Sequence, residues 1–236
     1  MTAQPADRFS CVAIVPAGGS GARFGSATPK QYSVIAGATI LEHTLQALHR
    51  CPSIQHVFVA VQADDHRADL IAERTGNTTI LHCAGGQRAH TVQNALVAIS
   101  RRVRRDAWVL VHDAARPCVE QEDVERLIAC AGLHPVGGLL ATPVTDTLKR
   151  ATATLEISET VSRDGLWRAQ TPQMFRHELL THALDASPEV TDEAQAVEAL
   201  GLSPLLVPGS ARNIKITLPE DAEIAAFYLS KAQKRS

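Results

Sequence analysis

The sequence lacks most of the features that would classify it at a glance. Its five cysteines, Cys11, Cys51, Cys83, Cys118 and Cys130, are odd in number, and no two stand in a CxxC pair. Neither a disulfide framework nor a zinc ribbon is indicated, and reduced thiols in a cytoplasmic protein are the simpler reading. No apolar run reaches 18 residues, and the opening MTAQPADRFS lacks the basic-then-apolar order of a secretion signal. The expectation is a soluble, cytoplasmic protein. Neither sign of charge dominates: 23 Lys and Arg face 25 Asp and Glu, for a net charge of −2. The whole molecule is therefore not built to bind nucleic acid or membrane, and any basic site must be local. Aromatic residues make up only 4%. The one dense basic run, RRVRR (101–105), has no stacking platform beside it and reads as a solvated helix end.

There is also no internal repeat, low-complexity tract or Gly/Ser linker. The 236 residues, 45% hydrophobic and 20% charged, suit one α/β domain, 1–236, with a sizeable core. Apolar runs alternate with amphipathic ones. Strands are expected at 11–16, 56–61, 78–83 and 107–112, and helices at 39–50, 64–76, 88–100 and 120–132. Four strand–helix units in a row predict a Rossmann-like, mostly parallel twisted sheet with helices on both faces. From 136 to 175 the chain alternates β-branched and polar residues, and 144–164 reads as a projecting β-arm. A two-stranded arm is rarely stable alone, so it is expected to pack on another subunit. Helices near 176–186 and 191–200, a strand at 204–207, a strand-like NIKIT (213–217) and a helix at 219–231 complete the chain.

Ligands of such sheets bind beyond the carboxyl ends of the strands, so the segments after each strand carry the functional reading. The first is PAGGSGARFG (16–25), followed by PKQ (29–31). Gly18, Gly19 and Gly21 let backbone approach a ligand and expose N–H groups that bind phosphate oxygens. The dinucleotide fingerprint GxGxxG fails because Phe24 stands where glycine is needed, and the ATP-type loop fails because the chain has no Gly-Lys pair. Two cations seven residues apart, Arg23 and Lys30, suit a polyphosphate: one forks onto oxygens, the other acts as a point charge. The alternative is a glycine turn with solvated basic residues.

AGGQRAHT (84–91) is a second glycine turn entering a helix. Gly85 and Gly86 leave room for a flat base, with Thr91 in the first helical turn; a simple capped turn explains the pattern equally well. HDAARP (112–117) places Asp113 past a buried strand, suited to a sugar hydroxyl, a substrate or a metal, with Arg116 as an anion site; a structural Asp–Arg pair is the rival. His112 reads as structural. In the arm, Thr147 and Lys149 share a face of a strand, near Arg150 and Arg163. TDE (191–193) reads as a helix cap with acids in the first turn. Lys215, between Ile214 and Ile216, is a cation in an apolar setting.

PAGGSGARFG…PKQY, GGQRAHTVQNAL, VLVHDAARP, PVTDTLKR, TVSRDGLWRAQTPQMF, TDEA and NIKITLPED, in this order, closely resemble the 2-C-methyl-D-erythritol 4-phosphate cytidylyltransferase family of the non-mevalonate isoprenoid pathway. The likeness runs from residue 12 to about 229, and no cyclodiphosphate-synthase region follows, as in monofunctional members. The resemblance implies a nucleotidyltransferase fold, CTP and the polyol phosphate as substrates, Mg²⁺, and a homodimer formed through the arm. It implies backbone contacts to the nucleotide from Ala17, Gly18 and Gly19, with Arg23 and Lys30 on the phosphates. It gives Gly85, Gly86 and Thr91 to the cytosine, where Thr91 replaces the family's frequent serine. It gives Asp113, Arg116, Thr147, Arg163 and Thr171 to the acceptor, Asp113 also to the metal, and Lys215 to the phosphate being displaced. Two rivals remain at this point: a ribitol 5-phosphate cytidylyltransferase, and a nucleotide-binding module without turnover.

Overall fold

The computed structural model describes residues 11–19 and 28–233. Seven strands form the main sheet: β1 (Cys11–Pro16), β4 (Ile54–Ala60), β5 (Thr78–Leu81), β6 (Trp108–Val111), β7 (Gly137–Pro143), β10 (Trp167–Arg176) and β11 (Leu205–Pro208). Their spatial order is β11-β7-β10-β6-β1-β4-β5. β1 runs parallel to β4 and β6, β4 to β5, and β7 to β11, while β10 is antiparallel to both β6 and β7. The sheet is thus mostly parallel, as the alternating strand and helix patterns predict.

Side-chain alternation along the strands divides the core into two layers. Ala13, Val15, Val57, Val59 and Leu110 face α1 (Ile40–His49), α2 (Arg67–Thr75) and α4 (Gln121–Ala131). Val12, Ile14, Phe58, Val109 and Val111 face α3 (Arg88–Ile99), α5 (His177–Ala186) and α6 (Glu193–Ala199). A small third cluster seats α7 (Pro219–Gln233) through Ala225 and Leu229, against Ile40 and Ile216. α1 starts from a reciprocal cap, with Thr39 Oγ1 accepting from Glu42 N and Glu42 Oε2 accepting from Thr39 N, at 3.1 and 2.7 Å. No helix among the described residues is long and apolar enough to cross a membrane.

Two expectations need adjustment. The expected arm contains β8 (Leu148–Ala151) and β9 (Ile157–Val161), which pair with each other as a separate two-stranded sheet. Thr147 precedes that ladder, so only Lys149 is a strand residue there. The segment 213–217 joins no ladder at all. Ile216 N donates to Ala115 O at 2.9 Å, and buried Asn213 donates Nδ2 to Thr171 O at 2.8 Å. Loops rather than a neighbouring strand take its backbone groups, although Ile-Lys-Ile imitates strand alternation. A short hairpin, β2 (Val34–Ile35) with β3 (Ala38–Thr39), and a 3-10 turn at Lys30–Tyr32 add to the expected elements. The run 101–105 lies beyond the end of α3, where Arg104 pairs with Asp106 and Arg105 with Glu178 on the surface.

Candidate active site

The carboxyl ends of β1, β4, β5 and β6 lie side by side, and their exit loops touch. Gly18 is where two of these loops meet: a Cβ there would stand 2.2 Å from the Ala84 Cβ. Gly85 is pressed in the same way against His90, with 2.6 Å left for a Cβ. These two glycines are needed for close approach within the protein. Gly19 and Gly86 differ, since a Cβ on either would meet nothing within 4 Å. Gly86→Ala should therefore leave the melting temperature unchanged and raise KM for a nucleotide that lies against it. An unchanged KM in steady-state kinetics would remove Gly86 from the site.

Side chains fasten these loops together. Gln31 Nε2 donates to Ala17 O at 2.8 Å, which ties the PKQ turn to the start of the glycine loop. Gln62 Nε2 donates to Gly18 O at 2.7 Å. Thr91 is buried, and its Oγ1 accepts from Gly85 N at 3.1 Å while donating to Gln87 O at 3.0 Å. The Thr91 hydroxyl, expected at the cytosine, here shapes the turn from within.

Asp113 is the centre of the charge arrangement. It follows β6, is 6% exposed, and gathers three cations from three distant parts of the chain. Arg88 Nε donates to Oδ1 at 2.8 Å, Lys215 Nζ lies 2.9 Å from Oδ2, and Arg116 Nε lies 3.5 Å from Oδ2. Burial on its own would raise the carboxyl pKa, but Arg88, Lys215 and Arg116 outweigh it and hold the group well below the usual carboxylate range. Arg88 also forks onto Glu193, with Nη1–Oε1 at 2.7 Å and Nη2–Oε2 at 3.1 Å. Burial pushes Glu193 upward, and the Arg88 charge opposes it. Lys30 Nζ donates to the Ile216 carbonyl, beside Lys215. Lys30, Lys215, Asp113 and Arg116 are therefore brought to one place.

A relay of hydrogen bonds sets the Asp113 loop. Asp113 N donates to Thr171 Oγ1 at 3.0 Å, that hydroxyl donates to His112 Nδ1 at 3.0 Å, and His112 Nε2 donates to Arg116 O at 3.1 Å. One neutral tautomer satisfies every member. Thr171 is buried, next to a cis peptide bond to Pro172. Its hydroxyl, expected at the acceptor, here positions Asp113. His112 is fully buried, and that burial pushes its pKa down to about 4 against the opposing pull of the Arg116 carbonyl and Asp113. The unfolded chain gains a proton on His112 below pH ~6.5, whereas the native state resists until about pH 4. The stability contributed by neutral His112 is complete above pH ~6.5 and falls by roughly 3 kcal/mol towards pH 4. Urea unfolding should show this fall in the wild type and a flatter profile in His112→Asn; equal slopes would contradict it.

The remaining candidates lie apart. Thr147 and Arg163 are exposed at the base of the arm, where Arg163 Nη1 donates to Thr145 O. Arg23 lies outside the described residues.

The comparisons with known proteins agree with this geometry. The family model for 2-C-methyl-D-erythritol 4-phosphate cytidylyltransferase matches residues 11–231. This chain belongs to that family. A relative of that name from Vibrio vulnificus (strain YJ016) is 49% identical over 232 residues, covering 96% of this chain and 97% of the relative. A crystal structure of a 4-diphosphocytidyl-2C-methyl-D-erythritol synthase superposes with a TM-score of 0.84 at 42% identity, covering 94% of this chain and 99% of the other. The cytidylyltransferase of Thermus thermophilus does so with a TM-score of 0.77 at 30% identity, covering 94% and 100%. The fold of this cytidylyltransferase family member is thus that of its solved relatives.

In this family member, two further residues belong to the site architecture. Arg88 was visible in GGQRAHT, yet its role depends on Glu193, 105 residues away. The available signal was electrostatic: Arg88 sits in the first turn of a helix, where the dipole disfavours a cation unless carboxylates hold it. Asp192 caps α6 by accepting from Gln195 N at 2.9 Å, as the TDE pattern predicts. Its neighbour Glu193 is instead buried beneath Arg88. Asp113 is also the expected protein contact of the magnesium. Both of its oxygens face cations, and a dication brought there would meet Arg88, Arg116 and Lys215. These residues do not fit a protein-held Mg²⁺.

Proposed function

We propose that this protein transfers the cytidylyl group of CTP to 2-C-methyl-D-erythritol 4-phosphate, releasing pyrophosphate. The observation that carries the reading is the convergence of Lys30 and Lys215 beside Asp113, with Gln31, next to Lys30, tied to Ala17 O at the start of the glycine loop. A phosphoryl-type transfer needs this kind of environment: fixed cations where charge develops, and little covalent chemistry from the protein. An acceptor phosphate oxygen is already a nucleophile at neutral pH, so no general base is required. It attacks the α-phosphorus in line, and pyrophosphate leaves from the opposite side.

In this reading Ala17, Gly18 and Gly19 present backbone to the triphosphate, and Arg23 and Lys30 neutralise it. Gly85 and Gly86 admit the base in a turn that Thr91 keeps in shape. Asp113 orients the acceptor and holds Lys215 in place, and Arg116 and Thr171 fix the Asp113 loop. Mg²⁺ belongs with the phosphates of the nucleotide, consistent with its preference for phosphate and water oxygens. The whole chain acts as one nucleotidyltransferase domain in the cytoplasm, and its arm joins a second copy as a homodimer. That last assignment rests on a ribbon whose Leu155 and Ile157 are 87% and 67% exposed. The dimer would bring Thr147 and Arg163 to the acceptor of the partner's site.

Pyrophosphate release from CTP, followed with methylerythritol 4-phosphate and with ribitol 5-phosphate, tests the assignment. Release with the first alone is expected. Release with ribitol 5-phosphate would move the protein to another polyol phosphate, and silence with both would indicate a binding module.

A further inference from the structure

One cluster of potential ligands takes no part in the chemistry above. His66 stands at the entry to α2, Asp69 lies in its first turn, and His82 follows β5. His66 Nδ1 is 3.3 Å from Asp69 Oδ2, and His82 Nε2 is 3.3 Å from Asp69 Oδ1. The three ligand atoms all lie within 4.8 Å of one another, and the two imidazole rings stand 5.1 Å apart at 46°. We propose that His66, Asp69 and His82 form a site for one transition-metal dication of the zinc class, with water in the remaining positions.

The spacing is the first argument. Ligand bonds of about 2.0–2.1 Å in a tetrahedron place neighbouring donors about 3.3–3.4 Å apart. Each histidine nitrogen stands at that separation from one oxygen of Asp69, His66 from Oδ2 and His82 from Oδ1, whereas an ordinary N–H···O bond is shorter, at about 2.9–3.0 Å. The second argument is the state of His82. Its Nδ1 faces the Gln62 carbonyl at 3.4 Å while its Nε2 faces the Asp69 carboxylate. A neutral imidazole can donate to only one of these acceptors, which leaves a lone pair directed at the other. A proton or a metal on Nε2 resolves the conflict, and with a metal there the Nδ1–H directed at a carbonyl is the outer contact that ligating histidines usually make. The third argument is ligand type. Two imidazoles and one carboxylate suit zinc, nickel or copper and disfavour magnesium and calcium, which prefer all-oxygen surroundings. The partial exposure of all three side chains leaves coordination positions open to water.

The site is also mechanically linked to the glycine loop. Gln62, whose carbonyl faces His82, donates its side-chain amide to Gly18 O at 2.7 Å. His82 is followed directly by Cys83, Ala84 and Gly85. On the proposed function, metal binding draws on two of the loops that would surround the nucleotide, and it should shift the KM for CTP.

The test is a Zn²⁺ titration of the full-length protein at pH 7 in excess Mg²⁺, against a competing chelator dye. One equivalent should bind, and His66→Ala and His82→Ala should each weaken binding by at least ~10-fold. Asp69→Asn gives a third, independent reading. X-ray absorption of the zinc-loaded wild type, which needs no variant, should show a nitrogen and oxygen shell with imidazole scattering. No saturable binding, affinity unchanged in both histidine variants, or a sulfur shell would each overturn the site. Zinc should also change the KM for CTP in the wild type and not in His66→Ala; a wild-type KM indifferent to bound zinc would overturn the coupling to the loop.

Discussion

Replacing Lys30 with alanine is expected to lower kcat for pyrophosphate release by about 10²–10³-fold, with KM for CTP changed only a few-fold. The structure gives the reason for this split. The Lys30 ammonium is anchored on the Ile216 carbonyl, and the adjacent Lys215 is anchored on Asp113. Both cations are held in advance by the protein, so neither has to be reorganised as charge builds on the leaving pyrophosphate. In the proposed site, ground-state binding of CTP is spread over the backbone of two loops, and loss of one ammonium would remove little of it. Fixed charge is worth most where charge appears only in the transition state. Steady-state kinetics with saturating acceptor separate the two effects. A rise in KM at unchanged kcat would show that Lys30 binds substrate and transition state equally well.

The second large effect is expected from Arg88→Ala, and it should appear in stability before activity. Arg88 is shared between Asp113 and Glu193 and forks onto Glu193 with two bonds. Glu193 is fully buried. Removal of the guanidinium leaves a carboxylate in the core with no opposite charge, and breaking such a pair from one side costs about 3–5 kcal/mol. The pH dependence carries a sign. Burial already pushes the Glu193 pKa up, and Arg88 is the group that opposes this. Without Arg88 the folded-state pKa rises further above its unfolded value. The variant is then most destabilised at neutral pH and recovers as the pH falls and Glu193 takes up a proton. Arg88→Lys keeps the charge but not the fork, and should fall between the two. Urea unfolding at pH 7 and pH 5 measures the effect. Wild-type stability for Arg88→Ala at pH 7 would contradict the role of the pair.

The sheet was legible in the sequence because its strands are buried on both faces. Runs such as CVAIVP and WVLV are short and rich in β-branched residues, and each is followed by an amphipathic helix with apolar residues three and four apart. The same rule placed the functional loops, since ligands of parallel sheets lie at the strand ends. What resisted reading has one physical cause: it depends on contacts far apart in sequence. NIKIT looked like a strand because Ile214 and Ile216 flank a polar residue, but no neighbouring strand accepts its backbone, and it bonds to Ala115 and Thr171 instead. Thr91 and Thr171 carry hydroxyls suited to a ligand, and local pattern does not reveal that both are already committed within the protein. Glu193 looked like an ordinary first-turn acid until Arg88 was placed over it. Asp113 stands out in HDAARP as an acid past a buried strand, yet the three cations around it could not be counted from that motif alone.

The central claim is that positioned charge, with no side-chain nucleophile, drives a single in-line displacement at the α-phosphorus. The most direct test uses CTP carrying a chiral α-phosphorothioate, with the configuration of the cytidylyl product determined after one turnover. One displacement inverts the phosphorus centre, and inversion is the predicted result. Retention would require two displacements through a covalent cytidylyl-enzyme, and would contradict the account.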